Sequence, residues 1–176
     1  MKYYNVNFKF SNKVHNIIDF TVRRFGLNII CNILNLEKNY MQITIKSEYK
    51  GNLRTEAVHC KSGVRIITDA PVDNKGKGES FSPTDLVSAA LGSCMVTIMG
   101  IASETYGFSI DGLEWETTKI MSENPRRISE IIIKLNFPDI NYSDKQKRII
   151  EYITKNCPVA LSLHPDLKQT IIINFK

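Results

Sequence analysis

Hydrophobic and polar positions change period several times along this chain. From Ile43 to Tyr49 they alternate, which is the two-residue period of a strand with one wetted face. Lys50-Gly51-Asn52 reads as a turn. Two further strands are predicted over 53–60 and 64–69, joined at Lys61-Ser62-Gly63. A polar loop, 70–81, leads to Ser82-Pro83-Thr84-Asp85, where a capping serine, a proline at the first helical position and an acid three residues on predict a helix start. That helix should run to about Tyr106 and stop at Gly107. It carries no charge between Asp85 and Glu104, so it is expected to be buried on every side. Strands follow over 112–121 and 127–137, around a turn at Glu123-Asn124-Pro125. An amphipathic helix over 144–156 gathers Ile149, Ile150 and Ile153 on one face. Cys157-Pro158 restarts a short helix reaching His164-Pro165, and 168–175 is the last strand. The order βββ-α-ββ-α-α-β segregates strands from helices, which predicts an α+β domain with antiparallel sheets around a long buried central helix.

The first 40 residues break this regularity. They hold six Lys/Arg against Asp19 and Glu37, a net +4 of the chain's +5. Segment 11–36 could form an amphipathic helix, and Leu27–Leu36 is too short to span a bilayer. Residues 1–40 are expected to be an extension, disordered or outside the core, with the domain over 41–176. That domain is nearly neutral and has no basic block, which argues against nucleic-acid binding. No membrane association is expected. Four irregularly spaced cysteines are too few for a disulfide scaffold and lack paired metal-ligand spacing. A reducing, cytoplasmic compartment fits, where a disulfide would be catalytic rather than structural.

Two cysteines carry the candidate chemistry. Cys157, before Pro158, stands at a helix start, where partial positive charge and free N–H groups lower a thiol's pKa. It reads equally as a reactive thiol or an inert helix-start residue. Cys94 lies mid-helix, where burial would silence it unless a cation ionises it; the alternative is a small hydrophobe. Arg54 and Arg65 are the candidate cations, and Asp85 could orient one of them toward the sulfur or serve only as a cap. Cys31 and Cys60 read as bystanders.

Ser82-Pro83-Thr84-Asp85-Leu86 through Ala89-Ala90-Leu91-Gly92-Ser93-Cys94, followed by Cys157-Pro158-Val159, resembles the OsmC/Ohr family of osmotically inducible and organic hydroperoxide resistance proteins. The resemblance spans 41–176. It implies an intertwined homodimer with sites at the subunit interface, and reduction of organic hydroperoxides, with hydrogen peroxide a poorer substrate. Cys94 would be the peroxidatic cysteine and Cys157 the resolving one. Arg54, held by Asp85, would stabilise the Cys94 thiolate, and an external dithiol such as a lipoylated protein would reduce the Cys94–Cys157 disulfide. No cofactor or metal is implied. The hydroperoxide-resistance branch has glutamate directly after the proline; here that position is Thr84 and the acid is Asp85. A small-ligand-binding protein on the same fold, with idle thiols, is the alternative.

Overall fold

A computed structural model of the chain describes residues 43–176. The expected extension, with Cys31 and segment 11–36, lies outside these residues. The elements are β1 (Ile45–Gly51), β2 (Arg54–His59), β3 (Arg65–Asp69), a single 3-10 turn (Val72–Asn74), α1 (Pro83–Tyr106), β4 (Glu114–Glu123), β5 (Arg126–Asn136), α2 (Asp144–Asn156), α3 (Pro158–Ser162) and β6 (Lys168–Asn174). Each expected element is present within a few residues of its predicted bounds.

Contacts divide the described residues into two compact units. One holds residues 43–46 and 58–64, where Cys60 N–H donates to Thr44 O (2.9 Å) and the His59 ring bonds the Ser62 hydroxyl (2.7 Å). The other holds 47–57 and 65–176 and contains the core and the candidate site.

Strands β1-β2-β3 form one three-stranded sheet and β4-β5-β6 another. The second sheet is mixed. β4 runs antiparallel to β5, but β6 lies parallel to it, with Ile131 opposite Gln169 and Ile133 opposite Ile171. This corrects the all-antiparallel expectation. The chain between β5 and β6 passes through α2 and α3, a crossover long enough to return the strand in the same direction.

Burial follows the two periods. Ile131, Ile133 and Leu135, every second residue of β5, are fully buried, as are Leu91, Met95 and Met99 at helical spacing on α1. Ile150 and Ile153 of α2 close the same core, and Tyr142 completes it by donating its hydroxyl to Ser109 O (2.9 Å) while its ring meets Phe137 edge-on at 5.4 Å. Both longer helices begin with reciprocal capping boxes, Ser82/Asp85 and Ser143/Gln146.

α1 departs from expectation on one side. By length and composition it could cross a membrane, yet it is the core helix of this unit, and only 33% of its most apolar stretch is buried. Val87 and Ile101 are exposed at helical spacing along one stripe, and Tyr49, Ile66 and Ile67 are exposed on the first sheet, with Leu53 exposed in the turn between β1 and β2. A single chain therefore does not bury α1 all round.

Candidate functional site

The sequence between Cys94 and Cys157 folds into β4, β5 and α2, and this brings the two thiols together. Cys157 is fully buried in the core, and Cys94 is partly buried against the same cluster. The Cys94 sulfur is near enough to act on the Cys157 thiol. Cys157 caps α3 as its sequence predicts: Pro158 occupies the first helical position and the Ala160 N–H donates to Cys157 Sγ at 3.4 Å.

The expected consequence of that cap does not follow. Burial pushes the Cys157 thiol above its ordinary pKa, and the Cys94 sulfur pushes it further, against the pull of the Ala160 and Val159 N–H groups. A helix of five residues supplies too little positive end to offset removal from water. Cys157 is thus a protonated, sheltered thiol at neutral pH, while Cys94 is the more accessible of the two.

The charged residues are arranged differently from expectation. Arg54 does not meet Asp85. Its Nε and Nη2 donate to both oxygens of Asp69 (2.7 and 2.8 Å), and Nη2 also donates to Glu79 (2.6 Å). The Asp69 side chain is only 2% exposed, and the Arg54 guanidinium holds its carboxyl below the usual carboxylate range. The Glu79 N–H donates to the same carboxylate (3.1 Å), so this pair also fastens the loop before α1. Arg65 pairs with Glu56 (2.6 Å) on the surface.

Asp85 is taken by Lys119. The lysine ammonium donates to Asp85 Oδ1 (2.7 Å), Thr84 Oγ1 (2.8 Å) and Ser82 Oγ (3.2 Å), tying β4 to the start of α1. Burial works against the Asp85 charge, yet Lys119 and the Ser82 hydroxyl and N–H together hold its pKa below the ordinary value. Asp85 also precedes Cys94 by nine residues, about two and a half helical turns, so the two project from opposite sides of α1. Asp69, Glu79 and Lys119 were not among the expected site residues. The one available signal was the alternation Trp115-Thr117-Lys119, which places the lysine on the β4 face that meets α1. Cys60 is exposed. Among the described residues no cluster of His, Cys, Asp and Glu could hold a metal ion.

Comparison with known proteins places the fold in a family. No curated protein matches the chain. A solved structure of a candidate osmotic stress induced and detoxification response protein from Psychrobacter arcticus 273-4 is 48% identical, covers 76% of this chain and 96% of its own, and superposes with a TM-score of 0.72. An OsmC-like protein from Mycoplasma pneumoniae (19% identity, 76% and 96% covered, TM-score 0.62) shares the fold. So does the organic hydroperoxide resistance protein OhrB of Bacillus subtilis (14% identity, 75% and 98% covered, TM-score 0.54). The family model described as OsmC-like protein matches residues 76–171, the span that holds both thiols and the capped core helix, and the chain belongs to that family.

Proposed function

We propose that this protein is a thiol-dependent peroxidase that reduces organic hydroperoxides, in defence against oxidative stress. The observation that carries the reading is a partly accessible Cys94 packed against the same core cluster that holds a buried Cys157. The Cys94 thiolate attacks the distal peroxide oxygen, the O–O bond breaks, and the alkoxide takes a proton and leaves as alcohol. Cys94 is thereby oxidised by two electrons to a sulfenic acid. Cys157 then loses its proton and attacks the Cys94 sulfur; the S–O bond breaks, water leaves and a disulfide forms. An external dithiol returns two electrons and two protons by exchange.

Placing the resolving thiol in the core suits this order. A protonated, water-excluded Cys157 competes poorly for peroxide and waits for the neighbouring sulfenic acid. Arg54, presented by Asp69 rather than Asp85, is the proposed cation for the Cys94 thiolate. Asp69 and Glu79 hold its guanidinium in place, and in this reading it meets the thiol of the other protomer across a homodimer interface. The exposed stripe of α1 and the exposed apolar residues of the first sheet support such a dimer. Ile101→Glu, at a position 57% exposed in the single chain, should leave the protomer folded and shift its sedimentation from dimer to monomer; a wild-type monomer would refute the assembly.

The deciding experiment is thiol titration with cumene hydroperoxide. Wild type should lose two thiols per peroxide and yield a Cys94–Cys157 disulfide by peptide mass spectrometry. Cys94→Ser should lose turnover, and Cys157→Ser should leave a dimedone-reactive sulfenic acid at Cys94. If the disulfide does not form and Cys94→Ser leaves peroxide consumption unchanged, the thiols are idle and the ligand-binding alternative takes over.

A further inference from the structure

A cleft lies on the other flank of α1 from the thiols. It is an open cleft of about 710 Å3, within the range of roughly 300–1,000 Å3 usual for small-ligand sites. Its wall is built from Glu79 and Phe81 of the loop before α1, Asp85 of α1, and Trp115, Thr117 and Lys119 of β4. Neither Cys94 nor Cys157 lines it.

Three features select the ligand. First, two large aromatic side chains border the cavity while remaining 58% (Phe81) and 39% (Trp115) exposed. The indole lies close against α1 because residue 92 is glycine; a Cβ there would come within 2.7 Å of Trp115 Nε1. Second, the cation on the wall is already saturated. An ammonium has three donors, and Lys119 directs them to Ser82, Thr84 and Asp85, so it offers little to an anion. Third, Glu79 keeps an accessible carboxylate. Its side chain is 57% exposed and accepts from Arg54 through Oε2, which leaves Oε1 without a partner among the described residues. The Glu79 N–H bond to Asp69 holds this part of the wall in place.

We propose that this cavity binds a small aromatic amine, with its ring against Phe81 and Trp115 and its ammonium group on Glu79. Aromatic faces and a carboxylate both favour a cation, and the saturated lysine removes the competing attraction for an anion. Neither thiol lines the site, but Glu79 also bonds Arg54, the cation of the proposed reaction, so the Cys94→Ser arm below is what separates this proposal from the peroxidase reading.

Trp115 is the one tryptophan of the chain, so its fluorescence reports the site directly. Tyramine should change it saturably, with the same affinity in Cys94→Ser. 4-Hydroxyphenylacetate, the same phenol with a carboxylate in place of the amine, should bind at least about tenfold more weakly, as should tyramine to Glu79→Gln and Phe81→Ala, both shown to be folded by circular dichroism. The proposal fails if tyramine gives no saturable change up to millimolar concentration. It fails also if the acid binds as well as the amine, if neither wall variant weakens binding, or if Cys94→Ser abolishes it.

Discussion

Gly92→Ala sets two opposing effects against each other at the junction of α1 and β4. Alanine is a better helix former than glycine by about 0.8–1.0 kcal/mol in a helix interior. On propensity alone the change should stabilise the protein. The structure reverses the sign. A Cβ at this position would stand 2.7 Å from Trp115 Nε1, 3.1 Å from its Cδ1 and 3.4 Å from Thr117 Oγ1. Nε1 and Cδ1 belong to one rigid ring, so relief requires the whole indole to move. Overpacking of this kind costs about 1–3 kcal/mol, and Trp115, already 39% exposed on an edge strand, can limit the loss to the lower part of that range by swinging outward. The expected net is a destabilisation of about 1 kcal/mol. Gly100 provides the control. Nothing lies within 4 Å of its Cβ position, so Gly100→Ala should stabilise by up to about 1 kcal/mol. Urea unfolding of both variants at equal protein concentration measures the difference, and fluorescence of the single tryptophan should shift to the red only in Gly92→Ala. Equal stabilisation by both alanines, with unchanged fluorescence, would refute the close approach of Trp115 to α1.

Lys119→Met and Asp85→Asn should couple in a double-mutant cycle by about 0.5–1 kcal/mol, a modest value because the Asp85 side chain is 41% exposed and its capping bond with Ser82 survives loss of the lysine; coupling near zero would show that Lys119 does not fasten β4 to the helix start. Stability should decline in alkali partly through Cys157. Its folded-state pKa is raised, so its contribution is complete below the unfolded thiol value of about 8.5 and is lost as pH rises through the folded value. Under reducing conditions, the urea midpoint of wild type relative to Cys157→Ala should therefore fall between neutral pH and about pH 10, and a constant difference would contradict the burial argument.

Much of the fold was legible in short stretches of sequence. The alternation before Tyr49, the Ser82-Pro83-Thr84-Asp85 cap, the Ile149-Ile150-Ile153 face and Cys157-Pro158 each encode a decision made by neighbours in the chain, through steric preference, capping and amphipathic period. The family could be identified because its motifs are of this local kind. Partner choice was not local. Asp85 could have met any cation; only the packing of β4 on α1 delivers Lys119 from 34 residues away, while Arg54 goes to Asp69. The parallel setting of β6 depends on how α2 and α3 lie across the sheet, which no residue within β6 specifies. The Cys157 cap was written in the sequence, but its burial was not, and burial reverses the effect on its pKa. Backbone periodicity and caps are settled over a few residues by sterics and hydrogen bonding, whereas charge pairing and desolvation are fixed only when distant segments exclude water from one another.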